Sequence, residues 1–163
     1  MKHIPILPMT ADGFEPFGDL IDFNREFDFQ INNGNCDRYH ALAETDVVGA
    51  GAKTIISLGR ARPYSLPLEL KMMERHPLGS QAFIPMSDAP FLVVVAPDDE
   101  GKPGEPVAFM TQAKQGVNYQ RNTWHAVLCP LNQDGDFIIV DRGGEGDNLV
   151  EYFFETPYLI TTE

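Results

Sequence analysis

Residues 74–81 read Glu-Arg-His-Pro-Leu-Gly-Ser-Gln, and residues 118–125 read Asn-Tyr-Gln-Arg-Asn-Thr-Trp-His. Each cluster sets one histidine, His76 or His125, at the rim of an apolar stretch of strand character. Histidine titrates near neutrality and is also a common metal ligand. Two such rings brought together from neighbouring strands would make either an acid–base pair or part of a metal site. Glu74, two residues before His76, adds a carboxylate that can act as base, as ligand or as a hydrogen-bond partner orienting the ring.

Strands are the elements that must position these residues. Between residues 66 and 76 helix and strand both fit the composition, but alternation favours strand. It puts Leu68, Leu70, Met72, Glu74 and His76 on one face and Glu69, Lys71, Met73 and Arg75 on a solvent face. His-Pro-Leu-Gly then turns the chain, and residues 81–86 return as a strand. Residues 91–96 are a buried strand, 97–106 an acidic Gly/Pro loop and 107–110 another strand. In 124–129 alternation groups His125, Val127 and Cys129. Further strands are expected at 28–31, 53–60, 137–140 and 151–154. One helical turn is expected within 10–18, a turn at 32–35 and the start of a short helix at 37–42. Many short strands separated by Gly/Pro turns indicate an all-β sandwich or barrel with a few short helices.

At 163 residues the chain is expected to form one domain over 1–163 with a real core. Its net charge of −12 argues against nucleic acid and anionic membranes as partners. No stretch reaches the roughly 20 apolar residues of a membrane helix. The first residues carry no leader pattern, and the two cysteines fit no metal spacing, so a cytoplasmic protein with free thiols is expected. An anionic substrate would need one of the seven arginines, at 25, 38, 60, 62, 75, 121 and 142.

Five segments in order, Ile31-Asn32-Asn33-Gly34, Arg38-Tyr39-His40, residues 74–86, residues 116–125 and Asp141-Arg142-Gly143-Gly144, closely resemble the bacterial ureidoglycolate lyase family. The resemblance spans essentially the whole chain. It implies a cupin-like double-stranded β-helix (jelly-roll) barrel, a homodimer and nickel as the associated metal. It also implies cleavage of (S)-ureidoglycolate to glyoxylate and urea, late in allantoin degradation. Cupins usually bind metal through His-x-His, a Glu and a second-motif His. Here Glu74, His76, Gln81 and His125 stand at those positions. Glutamate is a fair ligand, whereas glutamine is a weak neutral one.

The substrate is a hemiaminal carrying a carboxylate. Splitting it requires a base for the carbinol proton, an acid for the departing urea nitrogen and a cation for the carboxylate. His76, His125 and Glu74 are the acid–base candidates, and a divalent ion on the same residues and Gln81 is the other version. Arg121 and Arg142 lead for the carboxylate, with Arg60 and Arg38 behind them. Asn33, Tyr39, Asn118, Tyr119 and Trp124 are expected to shape the pocket and bind the ureido group. Two other readings compete: an amidohydrolase releasing ammonia, and a non-catalytic cupin that binds a small acid.

Overall fold

The computed structural model describes residues 1–162. The expected domain runs one residue further, to Glu163, which lies outside the described residues. In chain order the elements are β1 (Lys2–Pro8), α1 (Ala11–Phe14), β2 (Gly18–Ile21), β3 (Phe29–Ile31), β4 (Cys36–Arg38), β5 (Lys53–Ala61), β6 (Leu68–Arg75), β7 (Gln81–Pro85) and β8 (Phe91–Ala96). There follow β9 (Asp98–Asp99), β10 (Lys102–Pro103), β11 (Val107–Met110), β12 (Gly116–Tyr119), β13 (Trp124–His125), β14 (Cys129–Pro130), β15 (Gly135–Gly143) and β16 (Val150–Thr161). A 3-10 turn at Asn32–Gly34 joins β3 to β4.

Six strands close on themselves in the order β11, β1, β16, β6, β13, β8 and back to β11. β1 is parallel to both of its neighbours and the other pairings are antiparallel. A second sheet, β2-β12-β7-β15-β5, is wholly antiparallel. The fold is all-β and cupin-like, as expected.

The run Phe-Leu-Val-Val-Val-Ala of β8 is buried on both faces because it separates two cores. Leu92, Val94 and Ala96 point into the closed barrel, with Ile4, Leu70, Met73, Trp124 and Ile160. Phe91, Val93 and Val95 point to the second sheet, with Phe83, Val117, Tyr119 and Phe137. Each such side chain contributes about 1.5–3 kcal/mol by leaving water. The helical turn α1 starts at Thr10, whose hydroxyl accepts from the Gly13 amide, and buries Phe14 in the second core.

Several sequence expectations change. Residues 37–42 form no helix; Cys36–Arg38 pairs with β3 in a hairpin. The final strand runs over twelve residues, not four. The 97–106 loop holds the β9–β10 hairpin. Alternation also breaks in β6. Met72 faces Phe153 and Leu70 faces Tyr158, so residues 154–157 of β16 stand opposite Lys71 alone. Such a bulge bends the strands and re-aims side chains. Met73, expected on the solvent face, is therefore fully buried beside Leu70 in the barrel core. Glu74 lies on the opposite face, away from the barrel interior.

Candidate active site

Strand β13 supplies the first histidine. Trp124 enters the barrel core, so the next residue, His125, points outward between the two sheets. Its ring stacks on Tyr119 of β12, with centroids 4.3 Å apart and planes 14° from parallel. Across the β13–β6 pairing His125 stands opposite Glu74. His76 follows just beyond the end of β6, and its ring centroid lies 5.1 Å from that of His125. The two sequence clusters thus meet. Glu74 Oε1 is 3.8 Å from His76 Nε2 and 3.7 Å from His125 Nε2.

Hydrogen bonding fixes which ring nitrogen faces this meeting point. His76 Nδ1 donates to the Asn148 carbonyl at 2.8 Å, and His125 Nδ1 donates to the Thr123 carbonyl at 2.9 Å. A carbonyl only accepts, so each Nδ1 carries a proton and each Nε2 faces the meeting point, as a lone pair when the ring is neutral. Those Nε2 atoms are buried and have no hydrogen-bond partner among the described residues. Gln81 adds a third buried acceptor. Its Nε2 donates to Asp141 Oδ2 at 3.0 Å, which orients the amide, and its Oε1 has no partner. Gln81 pairs in register with Tyr119 and shares the face of Phe83, so it looks toward the same space between the sheets.

Buried acceptors without donors are costly unless something positive satisfies them. Glu74, His76 and His125 offer ligand atoms that all lie within 4.8 Å of one another. Locking the distal N–H of each ring on a carbonyl is the usual support for a metal-binding histidine. The donor set fits a divalent cation.

Burial at 2% exposure pushes His125 down to about 3, opposed by its Thr123 bond and assisted by His76. His125 is therefore neutral at physiological pH. Burial also raises the Glu74 carboxyl above its usual range, with Glu151 reinforcing and His76 opposing. A histidine depressed in the fold stabilises fully above its ordinary value of 6.5, and that stabilisation is lost as pH falls toward 3. Glu74 acts oppositely, destabilising as pH rises through its raised value. The metal-free protein should accordingly lose a few kcal/mol between about pH 6.5 and 3, beginning well above the carboxylate range. Chemical denaturation across pH checks this; a flat profile down to pH 5 would contradict it.

Other expected site residues separate from this cluster. Trp124 is a core residue. Its indole N–H donates to Asp98 at 2.8 Å, and Arg75 lies over its ring at 4.5 Å. Cys129 joins the same core while Val127 is exposed, so neither shares the face of His125. Asn118 faces away from Tyr119 and bonds Asp19. Arg60 is exposed and paired through two bonds with Asp136. Asn33 sits in the exposed 3-10 turn with φ 54°. Arg38 lies against Phe29, and with Tyr39 it lines a separate cleft of about 630 Å³ that contains none of the triad. Arg142 is buried on backbone carbonyls. Arg121 lies on the segment between Tyr119 and His125, 41% exposed, with Nε on Asp46 at 3.1 Å. The next residue, Asn122, donates its amide to the His76 carbonyl. Sequence reading missed Thr123 and Asn148, which act through backbone carbonyls, and Asp141, whose motif was noted for its neighbour.

The family model described as ureidoglycolate lyase matches residues 1–161. The ureidoglycolate lyase of Chelativorans sp. (strain BNC1) is 55% identical over 160 residues, 98% of this chain and 97% of its own length. Ureidoglycolate lyase 2 of Rhizobium meliloti (strain 1021) is 54% identical, covering 98% of each chain. The ureidoglycolate lyase of Mesorhizobium japonicum is 52% identical with the same coverage. With a family match and close relatives that both run nearly end to end, this chain belongs to the ureidoglycolate lyase family.

Proposed function

We propose that residues 1–163 act as one catalytic unit that splits (S)-ureidoglycolate into glyoxylate and urea, in the breakdown of allantoin. The observation that carries this reading is the pair of buried Nε2 atoms converging on Glu74, both held there by Nδ1–H bonds to carbonyls. The net reaction moves one proton from the carbinol oxygen to the ureido nitrogen while the C–N bond breaks. Glu74, made more basic by burial, takes that proton and returns it to the leaving urea. His76, His125 and Gln81 would hold a divalent ion, nickel suiting imidazole-rich sets, and such an ion would supply Lewis-acid polarisation of the carbinol oxygen. Neutral His125 has no Nε2 proton to give, so it serves as a ligand and not as the acid.

Arg121 binds the substrate carboxylate. It alone among the four nominated arginines lies on the segment that joins Tyr119 to His125, and Nε is its one bonded nitrogen in the pair with Asp46. Arg121→Ala should raise KM roughly 10- to 100-fold with a smaller change in kcat, as expected for a lost charged hydrogen bond. Steady-state kinetics checks this, and an unchanged KM would remove Arg121 from the site. The reaction itself is tested by its products. Urea and glyoxylate in equal amounts support the lyase, whereas ammonia in place of urea replaces it with the hydrolase.

We further propose that the protein is a homodimer in a cytoplasmic setting. Ile56 and Leu58 of the edge strand β5 are 77% and 71% exposed on the outer face of the second sheet, an apolar surface that a second copy would cover. Both cysteines are free thiols, as a reducing compartment allows. No helix among the described residues is long and apolar enough to cross a membrane.

A further inference from the structure

Arg142 is only 8% exposed, and its guanidinium is engaged by the backbone. Nε donates to the Val48 carbonyl at 2.7 Å, and Nη2 donates to the Glu145 carbonyl at 2.7 Å and the Ala50 carbonyl at 3.4 Å. One planar cation thereby ties two loops together, 48–50 and the one beginning at Glu145. Both loops lead to His76. Val48 donates its amide to the Leu78 carbonyl. Asn148, three residues beyond Glu145, accepts the Leu78 amide on Oδ1 at 2.7 Å and the His76 Nδ1 proton on its carbonyl at 2.8 Å. The His76–Ser80 turn packs directly on the arginine stem. A Cβ at Gly79 would stand 2.6 Å from Arg142 Cβ, so this position needs glycine.

We infer that Arg142 is a positioning residue that fixes the tautomer and direction of the His76 ring through the Asn148 loop, and that it does not bind the substrate carboxylate. This rests on the reading above only in taking His76 as functional. The route is specific to one histidine. The His125 ring is held by the Thr123 carbonyl, which shares no hydrogen bond with Arg142 or Asn148.

Long-range nitrogen-15 NMR of the metal-free protein at neutral pH reads each ring directly. Wild type should show both histidines with the proton on Nδ1. In Arg142→Lys, which keeps the charge but not the planar fork, and in Asn148→Ala, which frees the loop from Leu78, His76 should lose its fixed Nδ1–H form while His125 keeps its own. In both variants kcat should fall roughly 10- to 100-fold with KM little changed, the scale for partners that orient a functional side chain. The inference is overturned if His76 stays Nδ1–H in Arg142→Lys, if His125 shifts along with it, or if KM rises at constant kcat. A wild-type protein that releases no urea yet shows the selective His76 change would sink the lyase reading and leave this one standing.

Discussion

Glu74→Gln should lower kcat/KM for ureidoglycolate cleavage by about 10³-fold, within the range for losing a positioned acid–base group. Glutamine keeps the shape and the hydrogen-bonding reach of the side chain and removes its ability to accept a proton. The same change should raise the melting temperature of the metal-free protein at neutral pH. Burial raises the Glu74 carboxyl, so holding it ionised costs stability above its ordinary range, and glutamine removes that cost. Activity and stability moving in opposite directions is a signature that a purely structural residue would not give. A variant that is both less stable and only two- or threefold slower would place Glu74 outside the reaction.

His125→Asn should abolish divalent metal binding and lower kcat/KM by about 10³-fold or more, since it removes a ligand and leaves the chain's general architecture in place. The asparagine amide can still donate to the Thr123 carbonyl, as Nδ1 does now, but it presents no Nε2 lone pair to Glu74 and His76. It also does not titrate. The decline in metal-free stability that begins near pH 6.5 should therefore disappear, leaving only the carboxylate range. Calorimetric titration of nickel, urea release and denaturation across pH check the three parts separately. Retained nickel affinity would show that His125 is not a ligand.

An all-β sandwich or barrel was legible in the sequence from short strands with period-two patterning, the choice of a cupin-like barrel came from the family resemblance, and β8 announces its double burial by a continuous apolar run. Adjacency within a motif was the weak guide. Asn118 and Trp124 sit in the same cluster as Tyr119 and His125, yet consecutive strand residues point to opposite faces. That geometry sends Asn118 to Asp19 and Trp124 into the barrel, and leaves only their neighbours at the site. Alternation in turn fails where a bulge intervenes. The three extra residues of β16, four standing opposite Lys71 alone, are invisible in the pattern of β6, so Met73 and Glu74 were given to the wrong faces. Thr123 and Asn148 orient the two histidines through carbonyl oxygens that every residue type carries, and no sequence signal marks them. Arg142 was visible as a cation but not as one enclosed by the carbonyls of Val48, Ala50 and Glu145, which lie up to 94 positions away.

The most direct test of the account is urea and glyoxylate release from racemic ureidoglycolate by chelator-treated protein, before and after one equivalent of nickel, each corrected for the unaided decomposition of the hemiaminal. The stripped protein should give little product above the blank, and the metal should restore both products in equal amounts. Full activity in the stripped protein would contradict the metal centre at His76, His125 and Gln81. No urea in either arm would contradict the lyase.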